Sequence, residues 1–169
     1  MAPYDAAAPS SPISTQAVDF KEVLAHLASG VAIVACWDGA TPRGLLVSSI
    51  TGLSVEPPRF LFCVRKEAGC HDALLGATTL SVALLGQGDH GEAHRFASGA
   101  KAAERFDPAR WSLPTAAPLY RGGLARALCR VEMALDAGTH SIFTVRANDV
   151  AFTPGPALVA WNRALHAVG

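Results

Sequence analysis

The sequence has no excess of either charge sign, and this limits the partners it can bind. Its 169 residues include 14 Lys and Arg and 14 Asp and Glu, so the formal net charge is +0 with neutral histidines. Proteins that bind nucleic acid or anionic membranes usually carry a clear basic surplus. We therefore expect neither nucleic acid nor a membrane as a partner.

Long apolar runs and a secretory signal are also missing. No apolar stretch approaches the roughly 20 residues that a membrane-spanning helix needs. Residues 1–16 are rich in Ala, Pro and Ser, with Asp5 as the only charged side chain, whereas a secretory signal has a basic start and then an apolar block. These features predict a flexible segment over 1–16, one domain over 17–169 and a cytoplasmic protein.

Cysteine and histidine are too few and too scattered for a recognisable metal site. The four cysteines form no CxxC pair, and three of them lie in apolar, strand-like sequence, which predicts free buried thiols rather than a zinc site. His90 and His94 have the i, i+4 spacing of a metal-binding helix, but no third ligand is evident, so a solvated helix face is the simpler interpretation. We expect no metal. The cysteines are Cys36, Cys63, Cys70 and Cys129.

What the sequence does contain is a series of short β-rich runs. Half of its residues are hydrophobic, which is ample for a buried core. A doubly wound fold would alternate strands with helices of roughly 10–15 residues, and the intervals here are too short or too irregular. The pattern therefore predicts a mainly β fold, a six-stranded antiparallel barrel with a few short helices. The predicted strands cover 31–37, 45–53, 59–64, 79–85, 125–135, 141–152 and 157–161; the predicted helices cover 18–28, 71–75 and 88–96.

One strand-like segment is dense in hydroxyl side chains. Ser48, Ser49, Thr51 and Ser54 lie beside glycine between residues 43 and 64. Hydroxyls and backbone amides along one strand edge suit a flat heterocycle whose ring carbonyls and nitrogens need hydrogen-bond partners. Serines on a half-exposed strand are also common without any function, so the residues alone leave both interpretations open.

A set of landmarks along the chain resembles the short-chain flavin reductase family, the reductase components of two-component flavin monooxygenases. Each landmark is weak by itself, but their order matches that of the family. They are Leu46-Val-Ser-Ser49, Leu53-Ser-Val-Glu-Pro-Pro58, Gly30-Val-Ala-Ile-Val-Ala35, Arg95-Phe-Ala97 with Arg105-Phe106, Gly138-Thr-His-Ser-Ile-Phe143 and Leu158-Val-Ala-Trp-Asn-Arg163.

The resemblance implies an FMN-binding split β-barrel that forms a homodimer. It further implies FMN or FAD as the flavin, NADH or NADPH as the co-substrate, and a flavin-dependent monooxygenase served by diffusible reduced flavin. His140 would be the catalytic residue, placed beside the flavin where it meets the nicotinamide. The cofactor-binding residues would be Leu46, Val47, Ser48, Ser49, Ser54, Val64, Arg65, Lys66, Gly69, Cys70, His71 and Phe96.

The loop from Arg65 to His71 also predicts an anion site on physical grounds. Two adjacent cations and a glycine precede a predicted helix, and free amides with positive charge favour phosphate. A solvated basic turn is the alternative.

Several positions depart from the family pattern. Apolar or small residues stand where hydroxyl, acidic or aromatic side chains are usual, at Leu46, Gly69, Cys70, Ala83, Thr139, Ala160 and Ala164. The resemblance and these departures together leave two functions open. The first is an NAD(P)H-dependent flavin reductase that supplies reduced FMN or FAD to a partner monooxygenase. The second is a diverged barrel with a non-redox catalytic or ligand-binding role in secondary metabolism.

Overall fold

The structure is a computed structural model that describes residues 17–169, so the segment 1–16 lies outside the described residues. The helices are α1 (Ala17–Ala25), α2 (His71–Gly76) and α3 (His90–Ala97), with 3₁₀ turns at Gln87–Asp89 and Gly99–Glu104. The strands are β1 (Ser29–Gly30), β2 (Ala32–Asp38), β3 (Thr41–Val47), β4 (Thr51–Ser54), β5 (Arg59–Arg65), β6 (Thr79–Leu84), β7 (Trp111–Ser112), β8 (Leu119–Tyr120), β9 (Ala125–Ala137), β10 (His140–Phe152), β11 (Ala157–Trp161) and β12 (Ala164–Val168).

The main sheet has seven strands in the order β3-β2-β6-β9-β10-β5-β4, and every pair in it is antiparallel. A three-stranded sheet, β1-β11-β12, and the pair β7-β8 complete the fold. The predicted mainly β class with a few short helices is confirmed, although the strands outnumber the six expected. One added strand, β12, returns along β11 after a tight turn in which Asn162 and Arg163 have left-handed backbone angles.

The predicted strand over 45–53 is in fact two strands at opposite edges of the main sheet. β3 ends at Val47 and β4 begins at Thr51, so only residues 48–50 connect the two edges. Three residues span at most about 10 Å, so the sheet must curl until its edges meet. We call residues 48–50 the seam, because they close the barrel at this point.

The barrel interior and the space beneath α3 form two separate hydrophobic clusters. Inside the barrel, the rings of Phe62 and Phe143 stack with centroids 5.3 Å apart. Beneath α3, Trp111 is fully buried among aromatic rings, so it anchors the segment between α3 and β8. Its indole Nε1 donates to the buried Glu92 carboxylate at 2.7 Å, so α3 is tied to the loop by a polar contact as well.

The cysteines are free, as predicted, and three of them are buried. Cys36, Cys70 and Cys129 are buried, whereas Cys63 is half-buried on the outer face of β5. Burial raises the pKa of Cys36 and of Cys129 to about 12, so these thiols are neutral and pack as small apolar groups.

Within residues 17–169 none of the helices combines the length and the apolar character that crossing a bilayer requires. The same part of the chain contains no group of three or more His, Cys, Asp or Glu side chains arranged to hold a metal ion.

Candidate functional site

Two clefts meet at the end of β3, and together they contain most of the predicted site residues. The first cleft has a volume of about 690 Å³ and lies between the seam, α1 and the β11–β12 turn. The second has a volume of about 470 Å³ and lies between β3, the loop after β5 and the segment that follows α3. Leu45 and Leu46 line both clefts, so the two clefts adjoin at these residues.

The two serines of the seam have different roles, although both line the first cleft. The Ser49 hydroxyl donates to the Cys63 carbonyl at 2.9 Å and accepts from the Cys63 amide at 3.0 Å. It therefore fastens the seam to β5. Ser48 is exposed, and its hydroxyl has no hydrogen-bond partner among residues 17–169. Ser48 is the seam hydroxyl that remains available to a ligand.

His140 lines the first cleft at the beginning of β10, directly opposite Arg65 of β5. Its Nδ1 lies 2.9 Å from the hydroxyl of Thr139. This contact orients the ring and leaves Nε2 free to meet a ligand. Thr139 thus occupies the position of the family's usual acidic residue and still orients the imidazole, but without a negative charge.

The hairpin that carries His140 is fixed to the loop after β5. The Lys66 amide donates to the Thr139 carbonyl at 3.0 Å, and the Lys66 ammonium contacts Asp136 at 2.7 Å. Asp136 also accepts from the amide of Gly138, whose φ of +76° is a left-handed conformation that favours glycine. The Lys66 hydrogen bond is the main reason that the pKa of Asp136 is lowered. Lys66 is therefore a structural cation that faces away from both clefts.

Among residues 17–169, the side chains that line the first cleft include three cations, Lys21, Arg65 and Arg163, and no carboxylate. Arg65 lies 3.6 Å from Glu67, which does not line this cleft. Arg163 also pairs with Glu22 of α1, and the Asn162 amide donates to the Ala25 carbonyl at 2.7 Å, so the β11–β12 turn holds α1 against the cleft. A ligand with a phosphate group fits this charge pattern.

Within the described part of the chain, three charged residues line the second cleft: Arg43, which pairs with Asp38, Glu67, which pairs with Arg65, and Arg105. The Arg105 guanidinium donates to four carbonyls, those of Arg95, Phe96, Ser98 and Gly44, at 2.7 to 3.4 Å. A guanidinium has five N–H groups, so one stays free. No carboxylate within residues 17–169 lies within 4.0 Å of it. Burial lowers the pKa of Arg105, but the group remains cationic, and its charge is available to an anion.

Gly44 allows Arg105 to approach the sheet. A Cβ at this position would lie 2.7 Å from the Val34 carbonyl oxygen and 3.1 Å from the Phe96 ring. With no side chain there, Phe96 packs directly on β3, and the Arg105 guanidinium sits 5.0 Å from the centre of that ring. Beside it, burial raises the pKa of the Cys70 thiol, so Cys70 brings no charge to the cleft.

Nine of the predicted site residues line one or both clefts. They are Leu46, Val47, Ser48, Ser49, Arg65 and His140 in the first cleft, and Leu46, Gly69, Cys70 and Phe96 in the second.

The other four predicted residues line neither cleft. Ser54 donates its hydroxyl to the Pro57 carbonyl in the turn after β4. Val64 points into the barrel interior, where it is 1% exposed. His71 is buried, with Nε2 2.9 Å from the Ser141 hydroxyl and Nδ1 3.0 Å from Asp72. Lys66 pairs with Asp136, as described above. Each of these four side chains makes a contact within the protein instead of facing a cleft.

Only some of the departures from the family pattern lie at the clefts. Ala160 lines the first cleft, where a small side chain widens it. Ala83 is buried in the cluster beneath α3, and Ala164 is exposed outside both clefts. Arg105 belongs to one of the landmarks of the family resemblance, but it is not among the predicted site residues, because its contact with Gly44 joins residues 61 positions apart.

Comparison with known proteins places this barrel, with its hydroxyl seam and its two clefts, in a family. The family model described as "Flavin reductase like domain" matches residues 24–169. The chain therefore belongs to the flavin reductase like family, which confirms the resemblance seen in the sequence.

Individual relatives agree with this assignment. The chain is 32% identical over 130 residues to an NADH-dependent FAD reductase of Streptomyces globisporus, covering 75% of this chain and 71% of that one. It is 32% identical over 145 residues to the reductase component of a Thermus thermophilus 4-hydroxyphenylacetate 3-monooxygenase, covering 85% and 91%. Among solved structures, the NADH:FAD oxidoreductase SgcE6 of Streptomyces globisporus C-1027, in complex with NAD and FAD fragments, superposes with a TM-score of 0.80 at 28% identity, covering 88% and 90%.

Proposed function

We propose that the protein is an NAD(P)H-dependent flavin reductase that supplies reduced FMN or FAD to a partner monooxygenase. The observation that carries this proposal is the pair of clefts joined at Leu45 and Leu46, one with a free seam hydroxyl and His140, the other with the uncompensated charge of Arg105. The family membership and the relatives that are reductase components support the same activity.

The residues present fit a flavin nucleotide. Each cleft lies within the range of about 300–1,000 Å³ that is usual for small-molecule sites. Ser48 and the backbone of Val47 and Ser49 would meet the polar edge of the isoalloxazine. Gly69 and the free N–H of Arg105 would meet the phosphate. Leu46, between the clefts, gives the ring an apolar surface where a hydroxyl is usual in the family.

The nicotinamide is proposed to bind over the flavin beside His140. When bound, the two cofactors carry out the hydride transfer between them, and the protein supplies orientation. His140, oriented by Thr139, offers Nε2 to the carboxamide. Arg65, Lys21 and Arg163 offer positive charge to the phosphates of the dinucleotide. None of these residues has to gain or lose a proton in the reaction.

A homodimer and a cytoplasmic location are part of the proposal. α1 and the residues just after it leave four large apolar side chains on the surface next to the first cleft, and Trp161 is 45% exposed nearby. A second copy of this chain is the proposed cover, since burying these groups removes apolar area from water. The four free thiols accord with a reducing compartment. The four apolar side chains are Phe20, Val23 and Leu24 of α1 and Leu27, two residues beyond its end, each 50% to 65% exposed.

The experiment that tests the proposed activity is an NADH oxidation assay. Purified protein is mixed with NADH or NADPH and with FMN or FAD, and the nicotinamide absorbance is followed over a range of flavin concentrations. Oxidation well above the protein-free control, with saturation in the flavin, is expected. No oxidation with either flavin, in a sample that binds flavin, would instead support the diverged barrel with a non-redox role.

A further inference from the structure

Three arginines lie side by side across the outer face of the barrel, near the middle of β10, whose first residue is His140. Arg59 on β5 is the register partner of Arg146 on β10, and Arg146 is in turn the partner of Arg130 on β9. Neighbouring strands are about 4.8 Å apart, so the three side chains emerge in one row. Six residues of β10 separate Arg146 from His140, a distance of about 20 Å, so this row is separate from the two clefts described above.

The positive charge of these three arginines is only partly neutralised by nearby carboxylates. Arg59 donates to Glu132 at 2.5 Å and 3.4 Å, which uses the one carboxylate that lines this cavity. Arg130 and Arg146 have no carboxylate within 4.0 Å among residues 17–169. Like charges directly opposite each other on neighbouring strands destabilise a sheet. Two adjacent cations without a carboxylate within 4.0 Å are unexpected in a chain of zero net charge and require an explanation.

A β-bulge lies on each side of the row, and the two bulges point to a built site. The register between β9 and β10 shifts once between Thr144 and Val145, which leaves Glu132 as the extra residue. It shifts again between Ala147 and Asp149, which leaves Asn148 as the extra residue. Bulges redirect side chains and are common next to functional sites. Both extra residues line the same surface cavity as the arginines, which has a volume of about 490 Å³.

We propose that this cavity binds the phosphate group of a small phosphorylated molecule through Arg130 and Arg146. Two unpaired guanidiniums one strand apart match the charge and the several oxygens of a phosphate dianion, and guanidinium binds phosphate through paired hydrogen bonds. A single carboxylate would leave one of the two cations uncompensated. Arg59, held by Glu132, forms the wall of the site, and the Asn148 amide is an additional donor. The site is independent of the proposed reductase activity.

The test compares the wild-type protein with the double variant Arg130→Gln/Arg146→Gln. The control is Arg121→Gln/Arg126→Gln, which changes the net charge equally but lies at a different surface cavity. Inorganic pyrophosphate and ADP are titrated calorimetrically at constant ionic strength, since salt screens exposed charges. We expect the double variant to bind at least 10-fold more weakly than the wild type at one class of site, and the control to bind as the wild type does.

Two further measurements distinguish a role of Arg130 and Arg146 in binding from a role in stabilising the fold. Without phosphate, the double variant should melt at the same temperature as the wild type or higher, because the repulsion between the two arginines is removed. NADH oxidation with flavin should be unchanged. Tighter binding of ADP than of pyrophosphate would identify a nucleotide as the ligand, and equal binding would identify the phosphate group alone. Unchanged binding in the double variant, equal loss in the control, or no binding to the wild type would overturn the proposal.

Discussion

The two clefts that meet at β3 differ in how firmly their polar groups are held. In the second cleft, Arg105 is fixed by four carbonyls and stacks on the buried Phe96, so its charge is positioned before any ligand arrives. In the first cleft, Ser48 and Arg65 are exposed, and His140 is oriented by a single hydroxyl contact.

This difference corresponds to the two tasks of the proposed enzyme. A group that holds a phosphate can be rigid, because the same contact is needed throughout the reaction. A surface over which a dinucleotide and a flavin meet must admit and release ligands in each cycle. The first cleft is also bounded by α1, whose exposed apolar side chains we assign to contact with a second copy of the chain. The comparison predicts that substitution of Arg105 in the second cleft alters both stability and flavin affinity, whereas substitution of Ser48 or His140 in the first cleft alters binding alone.

The largest effect is expected from Arg105→Gln. Loss of the guanidinium removes charged hydrogen bonds worth about 1.5–3 kcal/mol each to a ligand or carbonyl, so flavin affinity should fall roughly 10- to 150-fold. Stability should fall as well, because the carbonyls of Arg95 and Gly44 lose their donor. Flavin fluorescence titration and urea unfolding measure the two quantities.

Arg105→Lys is the matched control for this prediction. Lysine keeps the charge but lacks the planar fork that reaches several carbonyls at once. It should therefore lose stability to a similar extent while retaining part of the flavin affinity. If Arg105→Gln binds flavin as the wild type does, the phosphate does not lie in the second cleft.

A smaller effect is expected from His140→Ala, and His71→Ala provides the contrast. His140→Ala should raise the KM for NADH about 10-fold, with flavin affinity and stability almost unchanged, because the ring is exposed at the cleft. His71→Ala should instead lower stability and leave the kinetics unchanged, since its ring is buried and hydrogen-bonded to Ser141. A stability loss of about 1–3 kcal/mol is expected there, with KM unchanged. Steady-state kinetics and thermal unfolding of both variants measure these effects. Identical kinetics for wild type and His140→Ala would show that His140 does not contribute to the site.

The smallest effect distinguishes the two seam serines. Ser48→Ala should weaken flavin binding about 2- to 10-fold without a change in stability, as expected for one hydroxyl contact of about 0.5–1.5 kcal/mol. Ser49→Ala should lower the free energy of unfolding by about 1 kcal/mol, because its hydroxyl bridges to Cys63. The same titration and unfolding experiments apply. Equal flavin affinities for the two variants would contradict the separation of roles within the seam.

The fold was largely predictable, and the candidate site only in part. Hydrophobic runs and turn residues located most strands of the main sheet, and the predicted bounds of β11 agree with the structure. The run over 45–53 resembles a single strand, because no feature of its local sequence shows that β3 and β4 lie at opposite edges of the sheet. Likewise, the pairing of Lys66 with Asp136 depends on residues 70 positions away.

The β class and the family could be read from the sequence, since they depend on the local pattern and on the order of short motifs along the chain. The burial of Cys36 and Cys129 agrees with their strand-like sequence, whereas Cys63 is only half-buried. Which polar groups are free to bind a ligand depends on contacts between residues far apart in the chain. Hydrogen-bonding capacity is finite, and a donor or acceptor position that an internal partner already uses cannot also serve a ligand. Ser48 and Ser49 are neighbours of the same residue type, yet the proximity of β5 leaves only the hydroxyl of Ser48 available.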